Sequence, residues 1–381
     1  MKITGIICEY NPLHLGHKKQ IDKIRQDFGN DTGIVCLMSG QFVQRGEPAL
    51  FDKMCRAKSA VLSGADLVLE LPVTVAISSA EAFAEGGVSI LATFCDYLSF
   101  GAETQNPDQL ISTAKLLLSD DFKMHLRTAL DTGVSFPVAR QCALESMGEN
   151  GAILEQPNNI LAVEYCKAIL RQKASMQPCP IYRGGDYHST APDLENPSAT
   201  SLRNCFPNGD WMPYVPEAVI PCYQTASIHK LSSGEKSMLS RLRCMTEEDF
   251  SKIPYGSEGL WRKLMHAVQE CAKLDEIIDA VKSKRYTRSR IQRMLLCAFL
   301  GITEKDLNTP IPYVRILAFN NRGREILNLA KQAGKFINVG EKQDSPYQLL
   351  ENRCSDLYGL FADNAIEPAG LESSRRVYYH K

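Results

Sequence analysis

The sequence predicts an α/β protein: a Rossmann-like, doubly wound parallel sheet with helical insertions, followed by a second, mainly α-helical domain. Between residues 1 and 101, short apolar runs typical of buried strands alternate with runs of helical periodicity. From about residue 222 onward the pattern is mainly helical. The chain has 381 residues, 44% hydrophobic and 23% charged, which is ordinary globular composition for two or three domains.

A proline-rich segment separates the two predicted domains, with Pro207, Pro213, Pro216 and Pro221 close together. Prolines interrupt helices and strands, so a cluster of them is typical of a boundary. We therefore predict an N-terminal domain over residues 1–206 and a helical C-terminal domain over residues 222–381.

Composition narrows the class of protein. The net charge is −1, so any nucleic-acid surface must be local. The 13 cysteines are scattered and none forms a Cys-x-x-Cys pair, which favours reduced thiols over disulfides or a zinc site. The most apolar stretch, residues 60–77, contains Asp66 and Glu70 and is no membrane span. No signal peptide is visible. We expect a cytoplasmic protein with no metal-ligand cluster, no membrane contact and no obligate protein partner.

The first elements form the most informative stretch. Ile3–Cys8 is an apolar strand, Asn11-Pro12 marks a turn, and His14-x-Gly16-His17 begins a helix that reaches about Phe28. A strand, a tight loop and a helix start is where α/β proteins bind phosphates. Gly16 removes a Cβ where a nucleotide could lie close to the backbone.

His14 and His17 are three residues apart at the helix start, so both side chains can face one ligand. In nucleotidyl transfer, fixed donors at the α-phosphate stabilise the charge that develops in the transition state. The plainer interpretation is two surface histidines at a helix N-terminus. The complete strand, loop and helix around them favours the catalytic interpretation.

The next elements continue the alternation of strands and helices. We predict strands at 33–38, 66–72 and 97–103, and helices at 51–63 and 80–93. Asp52 and Arg56, one turn apart, are expected to form an ion pair on the helix surface. Gly101 ends a strand at the edge that would face a nucleotide. Residues 39–48 form a glycine-containing loop at the same edge, which is either a functional loop or a plain surface loop.

Two common nucleotide-binding patterns are absent from the sequence. No Gly-x-Gly-x-x-Gly follows the first strand. Gly234-Glu235-Lys236-Ser237 has the end of a Walker A motif but lacks its leading glycine and its preceding strand. These absences argue against dehydrogenases and P-loop enzymes.

Three later segments carry candidate ligand contacts. Residues 156–165 begin a helix in which Asn158 and Asn159 read as capping residues. Arg183 follows a short strand and precedes two glycines, which suits a phosphate or ribose contact. Ser198, Thr200 and Arg203 lie at a helix start and could form a second anion cradle.

The C-terminal part has one strongly basic stretch, Lys282–Arg293, which leads into a helix over 294–300. It is consistent with an RNA-backbone contact, and equally with a solvated helix face. We further predict a strand at 312–320, a helix at 323–333, a parallel partner strand at 336–339 and a helix at 346–360. The tail from Ala369 is expected to be loosely ordered.

Glu9–His17 resembles the adenylate-forming motif of HIGH-type nucleotidyltransferases and, more closely, that of the bacterial tRNA(Met) cytidine acetate ligase family. The other candidate segments are similar to motifs of that family in the same order: residues 39–49, residues 157–161, Arg183 with Gly185, Tyr187 and His188, Ser198-x-Thr200-x-x-Arg203, and residues 284–293. The resemblance extends from residue 1 to roughly residue 360.

The resemblance implies an ATP-dependent ligase that forms acetyl-adenylate from acetate and then acetylates the wobble cytidine of elongator tRNA(Met). ATP, with Mg²⁺, acetate and that tRNA are the implied reactants. His14 and His17 would be catalytic. ATP would contact Ile7, Cys8, Glu9, Tyr10, Asn11, Pro12, Leu13, Leu15, Gly16, Gly101, Asn159, Arg183, Ser198, Thr200 and Arg203. RNA would contact Lys284, Arg285, Arg288, Arg290 and Arg293. The loop at 39–48 could meet either acetate or the cytidine.

Two alternative functions stay open from the sequence. One is a small-molecule adenylyltransferase of the same superfamily, which would not need the basic C-terminal part. The other is a non-catalytic RNA-binding protein with a relic nucleotide site, against which the intact His14, His17, Thr200 and Arg203 argue.

Overall fold

The fold is built around an eight-stranded sheet, seen in a computed structural model that describes residues 1–134, 136–149, 151–184, 193–194 and 197–381. A two-stranded hairpin, β3–β4, lies beside the sheet. In chain order the strands are β1 (Ile3–Cys8), β2 (Gly33–Ser39), β3 (Phe42–Val43), β4 (Glu47–Pro48), β5 (Leu67–Leu71), β6 (Tyr97–Ala102), β7 (Gln177–Tyr182), β8 (Val314–Phe319), β9 (Phe336–Asn338) and β10 (Tyr378–Tyr379).

Helices cover both faces of the sheet and form most of the region from residue 231 to residue 307. In chain order they are α1 (Leu15–Phe28), α2 (Lys53–Leu62), α3 (Val73–Ala76), α4 (Ala80–Leu91), α5 (Pro107–Leu118), α6 (Asp120–Asp131), α7 (Phe136–Ser146), α8 (Pro157–Arg171), α9 (Ala199–Cys205), α10 (Ile220–Thr225), α11 (Leu231–Arg243), α12 (Glu247–Ser251), α13 (Leu260–Glu270), α14 (Leu274–Val281), α15 (Arg288–Leu300), α16 (Glu304–Leu307), α17 (Asn321–Leu329), α18 (Pro346–Tyr358) and α19 (Leu371–Ser374). Of the helices described, none is both long and apolar enough to span a membrane.

The predicted doubly wound parallel sheet is confirmed. Strands β5, β2, β1, β6 and β7 are neighbours in that order, and each pair is parallel. Every residue of β2 and β5 is buried, which explains their continuous apolar runs. The chain adds β2 and β5 on one side of β1 and then β6 and β7 on the other. The switch point therefore lies between the ends of β1 and β6, where α/β sheets place ligands.

The alternation of side chains along β1 divides the core between the two faces of the sheet. Ile7 packs with Phe83 of α4 and Val163 of α8 on one face, and Ile6 packs with Ile21 of α1 and Ala57 of α2 on the other. Both faces are thus covered, and the carboxyl ends of the strands remain as the open edge.

The C-terminal strands extend this sheet in the opposite direction. β8 pairs antiparallel with β5, and both β9 and β10 pair parallel with β8. The predicted parallel pairing of residues 312–320 with 336–339 is confirmed. The expectation of a loosely ordered tail from Ala369 is wrong, because β10 joins the sheet and Glu372 is only 4% exposed at its side chain.

The helices between residues 231 and 302 have a core of their own, which includes Leu264, Ile278 and Leu296. Phe42 and Val73 from the N-terminal half also belong to that core. The division of the chain at residues 206–222 stays a prediction, because strands and core contacts both cross it.

Asp52 and Arg56 do not form the predicted surface ion pair. Arg56 is 0% exposed, and its guanidinium donates to the carbonyls of Phe51, Glu9, Ser39 and Gly40. Asp52 caps α2 and pairs with Arg375. Arg56 therefore binds the ends of β1 and β2 together beneath the open edge of the sheet, a structural role that helix spacing could not reveal.

The prediction of reduced thiols agrees with the structure. All 13 cysteines lie within the described residues and are free.

Candidate active site

A polar cleft lies at the switch point, above the carboxyl ends of β1 and β6. It has a volume of about 250 Å³ and adjoins a recess of about 460 Å³ that extends between α1 and β7, in the size range of small-molecule sites. Most of the predicted contacts line these spaces: Ile7, Cys8, Glu9, Tyr10, Asn11, His14, Gly16, His17, Gly101, Arg183, Ser198, Thr200 and Arg203. Pro12, Leu13 and Leu15 line neither of them.

His14 and His17 stack on one another at the start of α1, with ring centroids 3.8 Å apart. His14 Nδ1 accepts a hydrogen bond from the Gly16 amide at 3.1 Å, and His17 Nδ1 accepts one from the His14 amide at 3.2 Å. Since both Nδ1 atoms accept, each neutral ring carries its proton on Nε2. His14 is 1% exposed, and its Nε2 has no hydrogen-bond partner among the described residues. The pair therefore presents N–H donors to a ligand.

Burial keeps this histidine pair neutral. It lowers the pKa of His14 well below the usual value, with the neighbouring His17 and then Arg183 adding to the effect. Burial, followed by Arg183, lowers the pKa of His17 to about 3. At neutral pH the rings act as fixed dipoles rather than as cations.

Gly16 leaves room for the His14 ring. A Cβ on Gly16 would lie 2.9 Å from Cε1 of His14, and the glycine also lines the recess, where the close approach of a nucleotide stays a prediction.

The loop from Tyr10 to Leu13 is held from behind by buried contacts. Tyr10 has φ 45° and is 1% exposed, and the Asn11 side chain accepts from the Leu50 amide at 2.7 Å. The Leu13 amide donates to the Tyr223 hydroxyl at 2.9 Å. Pro12 and Leu13 are buried and shape the loop, and their contact with a ligand stays a prediction.

The second anion cradle faces the histidines across the cleft. Ser198 caps α9 by accepting from the Ser201 amide at 3.1 Å. Arg203 donates to the Asn11 carbonyl at 2.8 Å and to the Thr200 hydroxyl at 3.1 Å. Asn11 and Arg203 are 192 residues apart in sequence, and the two motifs meet through this arginine. The helix N-terminus and the guanidinium suit phosphate oxygens.

Asn158, rather than Asn159, lies on the cleft. Asn159 is 2% exposed. Its side chain accepts from the Thr104 amide at 3.0 Å and donates to the Thr104 hydroxyl at 3.2 Å. Asn158 lines the cleft and accepts from Arg183 at 3.4 Å. The contact of Asn159 with ATP stays a prediction, while Asn158, about 100° away around the helix, is the asparagine that lines the cleft. Gly185, Tyr187 and His188 lie outside the described residues.

Three of the predicted RNA contacts, Lys284, Arg285 and Arg288, lie near the start of α15 on the surface. Lys284 and Arg285 are exposed, and Arg285 pairs with Glu258 at 2.6 Å. Arg288 pairs with Asp275 and Asp279. The basic surface is thus partly neutralised by acidic neighbours.

Arg290 and Arg293 point inward instead. Arg290 donates to the Tyr255 carbonyl at 2.7 Å. Arg293 lies over the Tyr255 ring and donates to the Gln44 carbonyl at 3.3 Å, and burial lowers its pKa. Both fix the position of α15, so the prediction that they contact RNA is not supported by their geometry.

Sequence reasoning missed Tyr165 and Tyr223 and misplaced Arg56. Tyr165 lines the cleft from α8, and Tyr223 supports the loop after β1. Of these three, only Arg56 had a signal of burial in the sequence. Lys53, Arg56, Ala57 and Ala60 recur at helical spacing, so the two basic residues lie on the same helix face as small apolar ones.

Comparison with known proteins agrees with this geometry. The model of the HIGH nucleotidyl transferase family matches residues 1–371. Proteins named tRNA(Met) cytidine acetate ligase from Alkaliphilus metalliredigens and Clostridium novyi are 36% and 38% identical. The first match covers 100% of this chain and 99% of the relative, and the second 96% of each.

Solved structures give the same result. Thermotoga maritima TmcAL without ligand superposes with a TM-score of 0.89, and the same protein bound with alpha-thio ATP with 0.86. Each is 30% identical, and each match covers 100% of this chain and 99% of that one. The chain therefore belongs to the HIGH nucleotidyl transferase family and, within it, to the tRNA(Met) cytidine acetate ligase family.

Proposed function

We propose that this protein activates acetate with ATP and transfers the acetyl group to the wobble cytidine of elongator tRNA(Met). The observation that carries the proposal is the pairing of two anion-binding elements across one cleft. Neutral histidine donors stand on one side, and Thr200 with Arg203 stands on the other. The names of the relatives support the choice of acetate ligation to tRNA.

In the first step an acetate oxygen attacks the α-phosphorus of ATP in line. A P–O bond to acetate forms, the bond between the α- and β-phosphates breaks, and pyrophosphate leaves. The Nε2–H groups of His14 and His17 stabilise the α-phosphoryl oxygens, and Ser198, Thr200 and Arg203 hold the departing pyrophosphate. Catalysis here is positioning and electrostatics, without a covalent enzyme intermediate.

Mg²⁺ is part of the proposal only as a companion of the triphosphate. Within the described residues, no group of three His, Cys, Asp or Glu side chains is arranged to hold a metal ion. The residues present fit a metal carried by phosphate oxygens, whose charge it would help to neutralise.

In the second step the cytidine amine attacks the acetyl carbonyl carbon, an amide bond forms, and AMP leaves. The cytidine must leave its stack to reach the cleft. We propose that residues 222–381 contribute most of the tRNA contact and residues 1–206 the chemistry, in the cytoplasm, without an obligate protein partner.

ATP–pyrophosphate exchange measured with acetate, propionate or formate tests the first step. We expect exchange with acetate in the presence or absence of tRNA, and weaker exchange with the other two acids. Acetate-independent exchange would instead indicate an adenylyltransferase with another substrate. Binding of tRNA without any ATP turnover would indicate the non-catalytic RNA-binding alternative.

A further inference from the structure

Glu9 lines the cleft, and the family resemblance implies that it contacts ATP but gives it no part in the chemistry. It directly follows β1 and is half-buried at the switch point of the sheet. One carboxylate oxygen, Oε1, accepts from the Gln44 amide at 2.8 Å. Arg203, Arg45 and Arg56 are close enough to favour its ionised form electrostatically. The carboxylate is therefore fixed on one oxygen and borders the space where a reacting group would lie.

Apolar side chains also line the cleft that Glu9 borders. They are Ile7, Phe83, Phe100, Leu161 and the ring of Tyr165, which is 2% exposed. The cleft thus combines a cationic cradle suited to phosphate with apolar walls suited to the acetyl methyl group and the cytidine ring.

Apart from the carboxylate of Glu47, the other histidine, thiol and phenol groups of the cleft are poor proton acceptors at neutral pH. Both histidines carry the proton on Nε2 and use Nδ1 to accept backbone hydrogen bonds. Burial raises the pKa of the Cys8 thiol and the Tyr165 hydroxyl, so both remain protonated. The second carboxylate of the cleft, Glu47, accepts from Gln292 of α15 at 3.1 Å.

We propose that Glu9 is the general base of the acetyl-transfer step, which rests on the function proposed above. Its second oxygen, Oε2, takes a proton from the cytidine N4 amine as the N4–C bond forms. The C–O bond to AMP breaks, AMP leaves as its phosphate dianion, and Glu9 becomes a carboxylic acid. The proton later returns to solvent, so the enzyme is unchanged.

Burial supports this role, because it raises the pKa of Glu9 despite the opposing effects of the Gln44 amide and of Arg203, Arg45 and Arg56. A carboxylate with a raised pKa is the stronger proton acceptor.

The loop that fixes Glu9 also touches α15, the helix that directly follows the exposed Lys284 and Arg285. The backbone amide of Gln44 donates to Glu9, and the backbone carbonyl of Gln44 accepts from the Arg293 guanidinium. Gly46 has φ 82°, and a Cβ there would lie 2.6 Å from the Arg293 amide nitrogen. An RNA docked on α15 would therefore approach the cleft from the side on which Glu9 lies.

Glu9→Gln tests the proposal, since the amide oxygen can still accept from Gln44 but cannot take the proton. Three rates are compared in the full-length variant: ATP–pyrophosphate exchange with acetate, acetohydroxamate formation with hydroxylamine, and N4-acetylcytidine formation on tRNA. Hydroxylamine attacks acetyl-adenylate without needing a base. Because Glu9 also borders the ATP cleft, the informative quantity is the difference between the rates: we expect tRNA acetylation to fall about 10²–10⁴-fold further than exchange and hydroxamate formation do.

Two further variants sharpen the result. Glu9→Asp keeps a carboxylate and should recover part of the tRNA acetylation. Glu85→Gln, an exposed glutamate of α4 near Arg171, is the matched control and should behave as wild type. Thermal unfolding and tRNA gel shifts verify that each variant folds and binds.

Three outcomes would overturn the proposal. Glu9→Gln could acetylate tRNA within a few-fold of wild type, it could lower exchange, hydroxamate formation and tRNA acetylation to the same extent, or Glu47→Gln alone could show the selective loss. A wild-type enzyme inactive with acetate in all three assays would instead refute the proposed function itself.

Discussion

Lys53 is the residue whose replacement we expect to destabilise the fold most clearly. It is 0% exposed, and its ammonium donates to both oxygens of Glu70, at 2.7 and 2.9 Å, and to Glu372 at 2.7 Å. Arg315 approaches the same two carboxylates, at 3.4 and 3.1 Å. One buried cluster thus joins α2, β5, β8 and the C-terminal α19.

The charges of this cluster balance closely. Lys53, Arg315 and Arg375 are positive, and Asp52, Glu70 and Glu372 are negative. Glu351 is the seventh member: burial raises its pKa to about 7, against the opposing effect of Arg315. Lys53→Met keeps the length of the side chain but leaves a buried excess of negative charge. Removing one partner of a buried ion pair costs about 3–5 kcal/mol, because the remaining charge is neither paired nor hydrated.

Urea unfolding followed by circular dichroism measures this loss. We expect Lys53→Met to lower the free energy of unfolding by about 3–5 kcal/mol. Lys53→Met combined with Glu70→Gln should recover part of that loss, because a negative charge is removed with the positive one. Lys123→Met, which removes an exposed pair with Asp120, is the control and should leave the midpoint unchanged.

A loss below about 1 kcal/mol for Lys53→Met would refute this reasoning, since surface pairs contribute that much. It would mean that water or side-chain movement compensates the carboxylates. A double variant less stable than Lys53→Met would refute the charge-balance explanation while leaving the importance of Lys53 intact.

Three further predictions concern the site and the basic surface. His17→Ala should lower acetate-dependent ATP–pyrophosphate exchange by about 10²–10³-fold, the effect of losing one transition-state donor, with tRNA gel shifts unchanged; exchange within a few-fold would remove His17 from the catalytic residues. The pKa of His17 is lowered to about 3 from an unfolded value near 6.5, so the unfolded chain binds the extra proton first. The free energy of unfolding should therefore fall as pH drops from about 6.5 towards 3, by up to about 1.4 kcal/mol per pH unit. Urea titrations at several pH values should show a shallower dependence on pH for His17→Gln than for wild type. An unaltered dependence would contradict the buried neutral ring. Lys284→Gln with Arg288→Gln should weaken tRNA binding and reduce its salt dependence, whereas Arg293→Gln should chiefly lower the melting temperature; an unchanged salt slope in the first variant would exclude that surface from RNA contact.

The sequence by itself determined the elements whose evidence is local. β1, the turn at Asn11-Pro12 and the histidines of α1 are consecutive, so one strand-to-helix connection brings them to a single edge. The parallel direction of β1, β2, β5 and β6 follows from the alternation of strands and helices, because parallel strands are joined by crossover helices. Ser198 and Thr200 could likewise be read as an anion cradle, since capping depends on neighbouring residues.

Only the tertiary structure decided which side chains face which partner. Asp52 pairs with Arg375, a residue 323 positions later, so neither the burial of α2 nor the ordered tail had a local signal. Asn158 and Asn159 differ only by one step around a helix, and packing against Thr104 determines which one is buried. The basic stretch shows the same limit: composition counts six cations between residues 282 and 293, whereas contacts with Tyr255 and Gln44 turn two of them inward. Periodicity fixes secondary structure because it acts over a few residues, but the role of a charge depends on long-range partners that the fold brings to it.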